Sequence, residues 1–149
     1  MGLSAEQIRT ALDTLATSEP LIAVAVERVG YPEPRIRDRG YETLLRTIVG
    51  QQVSVAAAQS IWVKLGAALG DLTNPEIVAA TSDDELRAAG LSRQKASYAR
   101  SLADEVTSGR LDLGALPADD EEAIAQLIRI KGIGRWSAEI YLLFAEGRP

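Results

Sequence analysis

The sequence predicts an all-α fold, a compact multi-helix domain of about eight to ten short helices. Three observations carry this expectation. Apolar residues recur at helical spacing, as at Tyr41, Leu44, Leu45, Ile48 and Val49. Helix-capping residues open most apolar stretches, and glycine or proline closes them. No stretch shows the alternation of a half-buried strand.

Taken in order, Ser4 and Gln7 form a capping-box pattern that opens a helix reaching about Thr17. Ser18 is the expected cap of a second helix, Glu19 to Val29, ended by Gly30 and the stiff "YPEP". The amphipathic segment 41–49 follows, interrupted by "GQQ", and Ser54 caps a helix to about Leu69. Asn74-Pro75 reads as a cap with proline at the first helical position. Ser82 with Glu85 forms another capping box, and Gly90 closes that short helix. Ser92 opens a long helix with Ala99, Leu102, Ala103 and Val106 on its buried stripe and Gly109 as its stop. After "LPADDEEA", whose carboxylates complement a helix N-terminus, the last pair is expected at 120–130 and 136–145. "KGIGR" joins them.

The whole chain, 1–149, reads as one helical domain with a hairpin at 127–145, and "YPEPRIRDRG" is the only candidate boundary. The sequence contains neither histidine nor cysteine. That excludes disulfides, Cys/His zinc sites, cysteine-ligated iron–sulfur clusters and every mechanism that needs an imidazole or a thiol. A general base would have to be a carboxylate, Lys or Tyr. No apolar run is long enough to cross a bilayer and the start lacks a signal-peptide pattern, so no membrane association is expected and the chain reads as cytoplasmic.

The net charge of −5, from 16 basic and 21 acidic residues, counts against a nucleic-acid partner. Distribution matters more than the sum. Acid gathers in "SDDE" and "DDEE", whereas "RIKGIGR" (129–135) has three positive charges and no acid. Gly132 and Gly134 give this link positive-φ freedom and room. The amides of Gly134, Arg135, Trp136 and Ser137 would start the last helix without intrahelical partners. Such amides, at the positive end of the helix dipole, make an anion site to which Lys131, Arg135 and the Ser137 hydroxyl can contribute. A plain turn with solvated basic residues is the competing reading.

The stretch "LIRIKGIGRWSAEIYLLFAEGRP" (127–149) resembles the helix-hairpin-helix of base-excision DNA glycosylases, within them the DNA-3-methyladenine glycosylase II family. "YETLLRTIVGQQVSVAAAQSIWVKL" (41–65) and "GLSRQKASYARSLA" (90–103) resemble two further segments of that family in the same order. Only the first 35 residues match in nothing but helicity, and the β domain that precedes this fold in larger members is missing.

The resemblance implies that Gly132, Gly134, Arg135, Trp136 and Ser137 hold a DNA phosphate, with Lys131 counted among the DNA-binding residues for its charge. It implies a monovalent cation, Na or K, on the main-chain carbonyls of Ile128, Ile130 and Ile133, and no other cofactor. Gln52, with Gln51 beside it, matches the wedge that fills the space left by an extruded base. Two glutamines that merely cap neighbouring helices are the alternative. Trp136 stands where bifunctional relatives carry a Schiff-base lysine, which implies a monofunctional enzyme that uses water. Trp136 and Ile140 would share the base pocket, the indole stacking on a cationic alkylated base. Tyr141, Tyr41, Tyr98, Trp62 and Phe144 are expected in the core.

The family's catalytic Asp would fall beyond Pro149, and neither Glu139 nor a solvated Glu146 matches it. The catalytic residue is therefore unassigned, and the chain alone is expected to be inactive and to lack the fold's C-terminal helices. It would be a monomer unless a C-terminal face left bare brought chains together. The function implied is base-excision repair, hydrolysis of the N-glycosidic bond of bases such as 3-methyladenine in duplex DNA. A non-catalytic DNA-binding module and a helical interaction scaffold remain the alternatives.

Overall fold

The computed structural model describes residues Gly2–Arg148, which form two compact units. One comprises the described residues up to Asp38 together with those from Leu142 onward, and the other is Arg39–Tyr141. The boundary at 38/39 falls inside the "YPEPRIRDRG" stretch singled out in the sequence. Among the described residues there are nine α-helices, one π turn and no strand.

In the first unit, α1 (Ala5–Ser18) opens with the expected capping box. The Gln7 amide donates to Ser4 Oγ at 3.2 Å and the Ser4 amide to Gln7 Oε1 at 2.8 Å. Helix α2 (Pro20–Val29) packs against α1, with Glu19 at its N-cap making no side-chain cap. The expected cap, Ser18, instead donates its hydroxyl to Leu15 O at 3.1 Å. Proline at the first position of α2 is preset for the helix and removes one of the amides that a helix start leaves without an intrahelical partner. The π turn Leu142–Glu146 belongs to this unit, and Phe144 O accepts the Arg37 amide at 2.9 Å.

The second unit holds a well-defined core. Helix α3 (Tyr41–Gly50) buries the five residues its periodicity marks, with Leu44, Leu45 and Ile48 fully enclosed. Each such aliphatic side chain contributes roughly 1.5–3 kcal/mol on leaving water. Ser54, Asn74 and Ser92 cap α4 (Val55–Leu69), α5 (Pro75–Ala80) and α7 (Arg93–Thr107), and Ser82 with Glu85 boxes α6 (Asp83–Ala88). Helix α7 is central, packing on α3, α5 and α6. Its buried stripe is Ala96, Ala99, Leu102 and Ala103; the three alanines let neighbouring helices come close. Arg100 binds α7 to the α5–α6 link, donating to Asp83 at 2.8 Å and to the carbonyls of Ala79 and Thr81.

Three boundaries differ from expectation at the site end. Helix α8 (Asp120–Leu127) stops three residues early, because the chain tightens into successive i→i+3 bonds: Arg129 to Gln126 O, Ile130 to Leu127 O and Ile133 to Ile130 O. Helix α9 (Arg135–Tyr141) starts one residue early and gives way to the π turn instead of running to 145. Tyr141 is core, as expected, and its hydroxyl accepts the Gly40 amide at 2.7 Å. Tyr41 is also buried, while Trp62, Tyr98 and Phe144 are half-buried.

Candidate nucleic-acid interface

The hairpin between α8 and α9 is a run of tight turns anchored from below. Ile130 and Ile133 are buried beneath it, and the Lys131 amide donates to Ser101 Oγ at 3.0 Å. The two glycines divide the work. Gly132 alone takes a left-handed backbone, φ 84°, and its missing side chain faces the ring of Tyr98. Gly134 has no positive φ, and a Cβ built there would meet nothing within 4 Å. The expectation that both glycines supply positive φ and clear the way for a phosphate is thereby corrected. Gly132 clears room inward for the protein, and Gly134 leaves the outer surface open.

Beyond Gly134 the amides are free. Among the described residues, no hydrogen bond uses the N–H of Gly134, Arg135, Trp136 or Ser137, and the first bonded amide is Ala138 to Gly134 O at 3.0 Å. Gly134, Arg135 and Trp136 are exposed and Ser137 is half-buried. Four donors at one helix start, unshielded, form the anion site the sequence suggested. Lys131 stands exposed beside it.

Arg135 is not a bare cation. Its guanidinium binds Glu121 through both terminal nitrogens, one at 2.9 Å, and donates Nε to Glu139 at 2.8 Å. These hydrogen bonds raise the Arg135 pKa above its ordinary value, and the same partner lowers that of Glu121. Both carboxylates stand in competition with any phosphate for this side chain. Glu146, expected in solvent, has only 5% of its side chain exposed and lies 3.4 Å from Arg148, so that expectation is corrected.

The "GQQ" stretch forms the turn after α3 and separates its two glutamines. Gln52 is exposed and adopts φ 56°, the only left-handed non-glycine among the described residues. Such a backbone is uncommon outside glycine and is held by its surroundings. Gln51 points the other way: its amide nitrogen donates to Gly132 O at 2.7 Å. Gln51, expected beside the wedge on DNA, is engaged within the protein. Lys95 of α7 reaches the same turn and donates to Val49 O at 2.7 Å, and partial burial lowers its pKa.

Trp136 is 74% exposed, and Ile140, one helical turn on, is half-buried. The indole face is therefore presented to solvent rather than enclosed. For the cation expected on the hairpin, the donors are neutral carbonyls, suited to a hard monovalent ion. Ile130 O already accepts the Ile133 amide, whereas the carbonyls of Ile128 and Ile133 accept no hydrogen bond among the described residues.

Sequence reasoning missed Lys95, Tyr98, Ser101 and Glu121. Tyr98 and Ser101 were legible in principle. Gln94, Tyr98 and Ser101 stand at i, i+4 and i+7 of α7, a polar face beside its alanine stripe. Glu121 carried no signal, since its link to Arg135 crosses the hairpin.

A sharp basic turn between two helices, with glycine at its open corner and free amides at the second helix, defines a helix-hairpin-helix protein. The chain belongs to the HhH-GPD superfamily of base excision DNA repair proteins, whose family model matches residues 45–145. It is 33% identical over 112 residues to DNA-3-methyladenine glycosylase 1 of Schizosaccharomyces pombe, covering 72% of this chain and 49% of that protein. It is 29% identical over 143 residues to DNA-3-methyladenine glycosylase 2 of Escherichia coli, covering 87% and 50%. The chain thus spans about half the length of these curated relatives. Its fold is similar to the crystal structure of a DNA-3-methyladenine glycosidase from Bacillus halodurans, with TM-score 0.80 at 33% identity over 92% of this chain and 64% of that one. It is also similar to the S. pombe 3-methyladenine DNA glycosylase in complex with abasic DNA, with TM-score 0.64 at 30% identity, covering 80% and 62%.

Proposed function

We propose that this chain serves base-excision repair, gripping duplex DNA beside an alkylated base whose N-glycosidic bond is hydrolysed by a monofunctional glycosylase. The single observation that carries the reading is the row of four unbonded amides at Gly134–Ser137, open to solvent at a glycine with nothing in front of it. A DNA phosphate takes those donors, with Lys131 adding charge and the Ser137 hydroxyl a further bond. Gln52 fills the space left by the extruded nucleotide, its backbone already set for a projecting turn. Trp136 offers its indole face to the base, and an alkylated purine, being cationic, gains about 0.5–2 kcal/mol there. An indole cannot form a Schiff base, so water adds to the sugar C1′ as the C1′–N bond breaks, the base leaves and the strand is not cut. A sodium or potassium ion on the carbonyls of Ile128, Ile130 and Ile133 would offset phosphate charge. The two carbonyls with no hydrogen-bond partner support that assignment.

The test is Gly134→Asp against wild type in binding to a short duplex. A carboxylate at the start of α9 suits the helix dipole and meets no steric obstacle, so the fold is retained. It also faces the phosphate, and affinity is expected to fall about tenfold or more, equivalent to at least roughly 1.4 kcal/mol. Unchanged affinity in a variant that melts with wild type would remove the hairpin as the phosphate site.

A further inference from the structure

The wedge turn and the hairpin are 81 residues apart in sequence, yet one side chain spans them: Gln51 Nε2 lies 2.7 Å from Gly132 O. The bond is half-buried, and Gly132 is the residue whose left-handed backbone shapes the hairpin. Gln51 immediately precedes Gln52, whose own left-handed backbone projects it from the turn. The two left-handed positions are therefore joined through one hydrogen bond and one peptide.

Helix α7 braces both ends of this link with a single face. Gln94 donates to the Tyr98 hydroxyl at 2.6 Å, and the Tyr98 ring lies where a Gly132 side chain would go. Ser101 Oγ accepts the Lys131 amide at 3.0 Å. Lys95 Nζ donates to Val49 O at 2.7 Å, closing the carbonyl end of α3 just before the turn. The base of the wedge turn and the base of the hairpin thus rest on the same rigid helix, and neither shifts without breaking a bond to it.

We propose that Gln51 is a positioning residue that couples the wedge to the phosphate grip, so that a hairpin seated on the backbone holds Gln52 in register with the nucleotide to be extruded. This rests on the DNA-repair reading of the site. Gln51 touches no DNA in the proposal. It acts through Gly132 and Gln52, as a strut of fixed length. Without it the hairpin still grips, but the wedge is no longer aimed.

The experiment compares binding of the full chain to two duplexes of one sequence, one undamaged and one carrying a tetrahydrofuran abasic-site analogue. Gln51→Met keeps the volume and removes the donor. Affinity for undamaged duplex is expected to stay within about twofold, because the grip is intact. Preference for the abasic duplex is expected to fall about three- to tenfold, the worth of one hydrogen bond, and to match Gln52→Ala. The double variant should be no worse than either single one, since both remove one coupled function. Gln51→Lys, which regains a donor of similar reach, should restore the preference ratio.

An unchanged ratio in Gln51→Met, single effects that multiply in the double variant, or a ratio that stays lost in Gln51→Lys would each overturn the strut. Equal thermal melting of the variants separates these outcomes from misfolding. A wild-type chain that bound neither duplex would instead sink the DNA reading, and the coupling with it.

Discussion

The ring of Tyr98 fills the space that a side chain on Gly132 would occupy, while Gly132 turns through φ 84°. The inner glycine of the hairpin is thus fixed twice, once by backbone conformation and once by packing. The outer glycine is fixed by neither.

Gly132→Ala should therefore destabilise the fold by about 2–4 kcal/mol, the left-handed penalty and the steric overlap acting together. Urea unfolding measures it. Gly134→Ala in parallel should leave the midpoint nearly unchanged. Equal effects at the two positions would contradict the division of roles.

Trp136 adds little to stability, and on the proposed reading it serves as a contact. Its 74% exposure predicts that Trp136→Ala changes unfolding free energy by no more than about 0.5 kcal/mol. The same variant should lose DNA-dependent quenching of indole fluorescence, leaving the half-buried Trp62 as the residual emitter. Quenching that persists in the variant would move the contact elsewhere.

Glu121 restrains Arg135 in the free protein, so Glu121→Gln should tighten DNA binding. Released from its strongest partner, the guanidinium becomes available to a second phosphate. The slope of log affinity against log salt should steepen by about one. An unaltered slope would mean that Arg135 stays with Glu139 or never meets the strand.

Acid should weaken the α6 cap in a defined direction. Glu85 accepts the Ser82 amide at 2.9 Å and the Ser82 hydroxyl at 2.7 Å, which hold its pKa below the ordinary 4.5. A depressed carboxylate pKa in the folded state means that its stabilisation is complete above that ordinary value. It is lost as pH falls through the lower, folded one. The stability difference between wild type and Glu85→Gln, followed by urea unfolding, should hold steady at neutral pH and shrink towards zero as pH drops below about 4. A difference that is flat across acid pH would assign the cap to Ser82 alone.

Much of the architecture was readable because its signals are local. Ser4 with Gln7, Ser54, Asn74-Pro75, Ser82 with Glu85 and Ser92 each announce a helix start through bonds made within three residues, and all five start where they say. Ser18 failed because proline at the next-but-one position removed the donor it would have served. The early end of α8 comes with backbone bonds that tighten to i→i+3, and neither it nor the π turn after Tyr141 leaves a trace in capping chemistry. At the site, the free amides follow from helix geometry and were visible in "KGIGRWS". The engagement of Gln51 and the pairing of Arg135 with Glu121 depend on residues brought together by the chain's return, and no spacing rule reports them.

Gln52 holds a left-handed backbone, φ 56°. The roughly 1–2 kcal/mol that such a conformation costs an L-residue is met by the rest of the fold. On the proposed reading, Gln52 enters a duplex from a turn already bent to its working shape, and the cost of that bend falls on folding instead of on insertion.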